Sequence, residues 1–135
     1  VHGEGKGDFH YIFSYTAGGL ESLVANGKEW LYRAPKPTFW RAVTDNDRGN
    51  GFPLKSGMWS AADRFIKCLK IDVLVDGKGI PFPCAPENNR YSDKESAESV
   101  TLIYTYETIT VPKTQVTVSY TVNAEGTIRI RADYQ

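Results

Sequence analysis

Alternating apolar and polar positions recur along the chain and predict β-strands. Over residues 9–15, Phe9, Tyr11, Phe13 and Tyr15 fall on one face of an extended segment. The same period of two predicts further strands at residues 20–25, 28–32, 70–75, 100–106, 116–122 and 127–134. Seven short strands with turn signals between them are typical of an antiparallel sheet protein.

Glycine and asparagine mark the breaks between these strands. Gly18-Gly19 interrupts the first pattern and indicates a turn or a mobile hinge, since glycine adopts positive φ at little cost. Asn26-Gly27 is the pair that a type I′ hairpin favours. Residues 1–8 have the composition of a loose lead-in, and residues 78–98, with three prolines, are expected to be mainly loop.

One segment has helical spacing instead. Trp59, Ala62, Phe65, Ile66 and Leu69 form an apolar stripe, which predicts a short helix over residues 56–69 with Ser56 as the N-cap. A single helix among many strands predicts an all-β fold, an antiparallel β-sandwich, and argues against a parallel α/β sheet.

Length and charge narrow the function classes. The 135 residues fit one domain, and sixteen basic residues balance sixteen acidic ones. A net charge of zero argues against nucleic acid and membrane surfaces as partners. No apolar run reaches membrane-spanning length and no signal peptide is visible, so a cytoplasmic location is expected. Because the chain starts at Val1 and stops at Gln135 directly after a strand pattern, it is expected to be part of a longer domain.

Titratable side chains suggest little independent chemistry. Cys68 and Cys84 could form a disulfide, although two reduced thiols are the simpler interpretation. His2 and His10 each stand alone in the sequence, without a partner acid for a catalytic triad.

The acidic cluster Asp45-Asn46-Asp47 allows three interpretations. It could hold a cation or act as a general acid pair. The simplest interpretation is that these residues cap backbone groups in a tight turn, with Arg41 or Arg48 as ion-pair partner. Three nearby aromatic residues could either stack on a sugar ring or fill a core; they are Trp30, Phe39 and Trp40.

The segment around this cluster resembles a known family. Residues 39–49, which read F-W-R-A-V-T-D-N-D-R-G, are similar to the F-W-R-A-P-T-D-N-D-x-G signature of the C-terminal β-sandwich of family 2 bacterial β-galactosidases. The signature residues are Phe39, Trp40, Arg41, Asp45, Asn46 and Asp47, and Val43 departs from the usual proline. The sequence most resembles the small subunit of the lactic-acid-bacterial enzymes.

The resemblance implies a role at a distance from the chemistry. The fold would be the first part of a galactose-mutarotase-like supersandwich, and residues 1–135 would be a single domain, the first half of the full small chain. The catalytic carboxylates would lie on a TIM barrel in another domain or in the large chain, so no catalytic residue is expected here. Magnesium and sodium would likewise be bound by other domains, leaving no cofactor or metal in this chain.

One functional element is implied for this chain itself. Gly18, Gly19, Leu20, Glu21 and Ser22 match the start of a mobile loop that shifts over the active site in related enzymes, with Gly18 at its hinge. The chain would thus be an accessory part of an enzyme that hydrolyses terminal β-galactosides such as lactose, meeting the substrate only in the assembled enzyme. Alone it is expected to be inactive.

Two other functions stay open at this point. The chain could be an independent carbohydrate-binding module, or a purely structural domain that supports a partner barrel. An incomplete sandwich would expose sheet edges, so self-association is also expected to be possible.

Overall fold

Two antiparallel sheets make up the protein. A computed structural model describes residues 1–16, 18–81 and 96–135. The first sheet contains β1 (His2–Glu4), β2 (Asp8–Ser14), β3 (Gly19–Ala25) and β4 (Lys28–Glu29) in that order. The second has the order β6-β5-β7-β8-β9, and its strands are β5 (Lys67–Val75), β6 (Lys78–Ile80), β7 (Ser99–Glu107), β8 (Gln115–Asn123) and β9 (Ile128–Tyr134).

The sheets pack face to face around one core. Alternate residues of β7 and β8 are buried, among them Tyr104 and Tyr120. Phe9, Tyr11 and Leu20 of the first sheet belong to the same apolar cluster. The alternation in the sequence therefore reports which face of each strand meets the opposite sheet, and the all-β sandwich is confirmed.

Tight hairpins join neighbouring strands. Asn26 and Gly27 have φ values of 51° and 72°, which confirms the predicted type I′ geometry between β3 and β4. Asp76 and Gly77 repeat it with φ values of 49° and 77° and turn the chain into β6. Strands β1 and β6 were not predicted, because both lie in polar, glycine-containing stretches and are formed by pairing with a stronger neighbour.

The helix predicted over residues 56–69 is wrong. Two short helices, α1 (Asp45–Gly49) and α2 (Phe52–Lys55), precede it, and 3₁₀ turns occupy Gly57–Trp59 and Ala62–Arg64. Ser56 ends α2 and makes no side-chain cap, while Gly57 weakens any helix at its first turn. The last three residues of the predicted helix belong to β5, since pairing of Lys67 and Cys68 with β7 outweighs a weak helical preference.

Each sheet contains one bulge. The β2–β3 register shifts so that Glu21 is an extra residue on β3, and the β5–β7 register shifts so that Leu69 is an extra residue on β5. A bulge leaves its residue without a partner, bends the strand and locally disrupts the ladder. Glu21 follows Gly18 by three positions and Leu69 directly follows Cys68, so each bulge is close in sequence to one of the two residues whose contact is described below.

The second sheet has an open side within the described part of the chain. Strand β9 pairs with β8 alone, and the backbone groups of Ile128, Ile130 and Ala132 alternate away from that ladder. Self-association through such an edge stays a prediction.

In the part of the chain that the structure describes, no helix has the length and apolar character needed to cross a membrane.

Candidate functional site

The segment from Gly18 to Ser22 lies against the second sheet. Gly18, Gly19 and Leu20 are buried, whereas Glu21 is exposed at the bulge. The alternation predicted a strand over residues 20–25, and the structure confirms it as β3, which pairs with β2 and β4. The mobile loop that the resemblance implied from Gly18 onward is thus a paired strand from Gly19 on. A role for these residues at an active site stays a prediction.

Tyrosine hydroxyls from the second sheet hold this segment. Tyr106 donates a hydrogen bond to the Gly18 carbonyl, and Tyr104 donates to the Ser14 carbonyl at 3.3 Å. The backbone of Leu20 is hydrogen-bonded to the Tyr120 hydroxyl. Three residues of β7 and β8 therefore fix the region where β2 ends and β3 begins.

Burial keeps these hydroxyls protonated. It raises the pKa of Tyr104, of Tyr106 and of Tyr120, because a phenolate would lose its hydration in the core. Tyr104 and Tyr106 are thus neutral hydrogen-bond donors at neutral pH.

The backbone at Gly18 requires glycine for two reasons. Its φ of 67° lies in the left-handed region. A Cβ atom at this position would also lie 3.0 Å from the Cβ of Cys68 and 3.3 Å from its Sγ. The segment is therefore a close approach of backbone to the opposite sheet.

The Glu29 carboxylate on β4 binds hydrogen-bond donors of β3 and of the segment that follows β4. Its carboxylate accepts hydrogen bonds from the Ser22 hydroxyl, from the Leu23 amide at 2.9 Å and from the Leu31 amide at 3.0 Å. These bonds, that of Ser22 first, lower the pKa of Glu29. Ser22 thereby connects β3 to the start of the irregular segment that follows β4.

The signature segment forms a capped helical turn. Thr44 is the N-cap of α1, and its side chain and backbone form a capping box with Asp47. Arg41 binds the same carboxylate with two nitrogens, at 2.7 Å and 2.9 Å. Asp45 pairs with Arg48 at 2.9 Å. For Asp47 the prediction of a backbone cap with an arginine partner is confirmed. Asp45 has the predicted arginine partner but caps no backbone group among the described residues.

Aromatic residues of this segment contact other rings. Phe39 packs against Trp59 and Tyr134 with centroid distances of 5.7 Å and 5.9 Å, and Trp40 stacks on Phe52 at 4.9 Å. Trp30 is 61% exposed and lies under the ammonium group of Lys28 at 4.3 Å. The ring contacts of the described residues thus do not join these three aromatics into one platform.

The hydrogen bonds around Asp47 predict an unusually acidic carboxyl group. The bonds from Arg41 and then from Thr44 hold the pKa of Asp47 well below its usual range. Because the folded-state pKa is lowered, the stabilisation is present above the unfolded value of about 3.9 and is lost as pH falls through the folded-state value. We expect the Asp47 titration midpoint to lie below the ordinary aspartate value when its side-chain carboxyl ¹³C shift is followed by NMR.

Arg41→Ala provides the comparison for this titration. The variant removes the strongest cause of the shift and leaves the Thr44 bonds in place, so the Asp47 midpoint should rise toward the ordinary value. An unchanged midpoint would show that the ion pair does not form in solution.

The structure also places both histidines and one of the two cysteines that the sequence analysis considered. His2 and His10, expected to stand alone, are cross-strand neighbours with ring centroids 5.9 Å apart. Cys68 is partly buried and donates weakly to the Lys70 carbonyl at 3.7 Å, while Cys84 lies outside the described residues.

Metal ligands do not come together in the described ranges. No group of three His, Cys, Asp or Glu side chains there could hold a metal ion.

The tyrosine set was the feature that sequence reasoning missed. The alternation at 102–106 and 116–120 signals one buried face. It does not show that the Tyr104 and Tyr106 hydroxyls donate to backbone carbonyls of the opposite sheet, or that the Tyr120 hydroxyl accepts from a backbone amide. Positions 104, 106 and 120 share tyrosine on that face, and this repetition is the signal that was available.

Comparisons with known proteins identify the family. A family model described as β-galactosidase small chain matches residues 5–135. The chain is 67% identical over 127 residues to the β-galactosidase small subunit of Latilactobacillus sakei, covering 94% of this chain and 40% of that subunit. It is 38% identical over 135 residues to a β-galactosidase of Clostridium acetobutylicum, covering 100% of this chain and 12% of that protein.

The match to a third relative also covers most of this chain and only a small part of the relative. The match to a β-galactosidase of Lactobacillus delbrueckii subsp. bulgaricus is 32% identical over 128 residues, 94% of this chain and 11% of that protein. The chain thus spans less than half the length of each of these relatives. Since the family model matches almost the whole sequence, the chain belongs to the β-galactosidase small-chain family.

Proposed function

We propose that this chain is an accessory part of a β-galactosidase, and that it contributes a subunit interface and an active-site segment but no catalytic carboxylate. The observation that carries the proposal is the family match over residues 5–135. The substrate would be a terminal β-galactoside such as lactose, bound only in the assembled enzyme. Residues 1–135 would be the first part of a longer small-chain sandwich, in line with the 40% coverage of the Latilactobacillus sakei subunit.

The use of acidic side chains supports the absence of catalytic carboxylates. Hydrolysis of a glycosidic bond needs two carboxyl groups about 5–10 Å apart that face a substrate. Many acids of the described residues are instead bound to cations or backbone amides of the fold; they are Glu29, Asp45, Asp47, Asp72, Asp76, Glu107, Glu125 and Asp133.

The loop between β7 and β8 supports the interface. Thr108 and Thr110 are buried and hydrogen-bonded to each other at 2.6 Å, whereas Ile109 and Val111 are 55% and 79% exposed. This inverts the usual order of polar outside and apolar inside. With Met58 and Phe65 the two aliphatic side chains line a groove of about 440 Å³. An exposed apolar surface of this kind is typical of a protein–protein contact, and we assign it to the β-galactosidase large chain.

Complementation tests the proposal. The purified chain should not hydrolyse a chromogenic β-galactoside, and activity should appear when the small chain that contains it is mixed with the matching large chain. Robust turnover by a homogeneous preparation of the chain alone, free of host enzyme, would contradict it. So would an inactive mixture in which both chains are shown to be folded.

An independent carbohydrate-binding module is the second candidate. The largely exposed ring of Trp30 favours it, because an exposed aromatic ring can stack on a sugar. Titration of the chain with galactose and lactose discriminates between the two: saturable binding favours the module, and its absence favours the accessory role. A cytoplasmic location stays a prediction from the sequence.

A further inference from the structure

Three hydrogen bonds that cross between the sheets converge on one short stretch. Tyr104 and Tyr106 reach Ser14 and Gly18 over sequence separations of 90 and 88 residues, and Tyr120 reaches the Leu20 backbone. One further tyrosine, Tyr11, joins the sheets elsewhere through its bond to the Gly126 carbonyl at 2.6 Å. The polar contacts are therefore concentrated where β3 begins.

The position of Gly18 depends more on its tyrosine hydrogen bond than the positions of Ser14 and Leu20 depend on theirs. Ser14 and Leu20 are paired in the β2–β3 register, which ends at the Ser14–Gly19 pair and does not include Gly18. The bond from Tyr106 to the Gly18 carbonyl is buried. Without that hydroxyl the bond to a buried acceptor is lost, which is costly because water cannot replace it.

The surrounding ladders are weak at the same place. Glu21 is the bulged residue on β3, three positions after Gly18, and Leu69 is the bulged residue on β5, next to Cys68. Cys68 itself is the side chain nearest to the position that a Cβ atom at Gly18 would take. Because bulges interrupt ladder hydrogen bonds on both sides of the contact, side-chain bonds have a larger share in fixing it.

We propose that Tyr106 is the positioning residue of the segment Gly18–Ser22: its hydrogen bond to the Gly18 carbonyl sets where that segment lies on the second sheet and how readily it moves away. The consequence for catalysis rests on the proposed function, in which this segment borders the active site. Tyr106 would not touch the substrate; it would act through the backbone of Gly18.

Amide hydrogen exchange on the full small chain tests the positioning. Tyr106→Phe keeps the ring and removes only the hydroxyl, so the amides of residues 19–22 should exchange about tenfold faster, the factor that corresponds to one lost hydrogen bond. The matched control is Tyr11→Phe, which removes a hydroxyl that donates to the Gly126 carbonyl at 2.6 Å. That variant should leave exchange in residues 19–22 unchanged. Equal protection in parent and Tyr106→Phe would overturn the proposal.

A second readout covers a variant that fails to fold. In the parent protein, the Tyr106 hydroxyl proton should exchange slowly and show a nuclear Overhauser contact to the Gly18 α-protons. A hydroxyl proton in fast exchange with water, with no such contact, would overturn the proposal independently of any substitution.

Kinetics of the assembled enzyme distinguishes the positioning of the segment by Tyr106 from the role of the segment at the active site. If the segment borders the active site, Tyr106→Phe should change kcat and KM by different factors, while Tyr11→Phe should change neither. Faster exchange with unchanged kcat and KM would uphold the positioning by Tyr106 and contradict the proposed role of the segment in the enzyme.

Discussion

Replacing Tyr104 with alanine should lower the free energy of unfolding by about 3–5 kcal/mol, the range for deletion of a large buried aromatic side chain. Tyr104 is fully buried on β7. Its ring lies edge-on to Tyr120 with centroids 5.8 Å apart and stacks beside Tyr106 at 6.2 Å. The substitution would leave a cavity between the sheets that neighbouring rings cannot fill without leaving their own contacts.

Tyr104→Phe separates the ring from its hydroxyl. This variant loses only the 3.3 Å hydrogen bond to the Ser14 carbonyl, so the expected cost is about 1 kcal/mol. Both expected costs can be measured by urea unfolding followed by tryptophan fluorescence. If Tyr104→Ala cost no more than Tyr104→Phe, the sheets would not be packed on this ring as described.

Alternation predicted the strands well because burial and period coincide. Along β7 and β8 the inward residues are buried, apart from the partly buried Val100, and the outward residues are more exposed. The predicted ranges differ from the observed ones by only one residue at each end. The hairpin at Asn26-Gly27 was equally accessible, since its geometry depends on two residues alone. These features are local, and local features can be predicted from sequence.

The helix prediction failed where pairing over long distance decides. Leu69 fits the helical stripe, but its neighbour Cys68 is the cross-strand partner of Tyr106, thirty-eight positions later in the chain. Periodicity over a short window contains no information about such a partner. The same limit explains why β1 and β6 were expected to be loop.

The candidate site shows the same division. The cap formed by Asp47 follows from the spacing of Thr44 and Asp47, which the sequence displays. The contact of Gly18 with Tyr106 joins residues 88 positions apart, and only the assembled sandwich brings them together. Sequence therefore identified Gly18 as unusual but gave a hinge as the reason, where the structure adds a buried contact.

Replacing Gly18 with alanine should destabilise the protein by about 2–4 kcal/mol, through two separable costs. Left-handed backbone at a φ of 67° costs about 1–2 kcal/mol for an L-residue, part of which is offset by the lower entropy of the unfolded chain. The new methyl group would also lie 3.0 Å from Cys68 Cβ and 3.5 Å from Tyr106 Cε1. Overpacking of this kind adds about 1–3 kcal/mol.

Gly27→Ala measures the first cost alone. Gly27 has a φ of 72°, and none of the described atoms beyond its chain neighbours lies within 4 Å of the position that the new methyl group would take. Alanine there should therefore cost only about 1 kcal/mol. The difference between the two variants in urea unfolding isolates the crowding against Cys68. Equal costs would mean that Gly18 does not approach β5 so closely.

In the assembled enzyme, Gly18→Ala should also change kcat or KM, because relief of the crowding must displace either the segment 18–22 or the bulged part of β5. Parent values of both constants, in a variant that shows the full stability loss, would separate the segment from the active site.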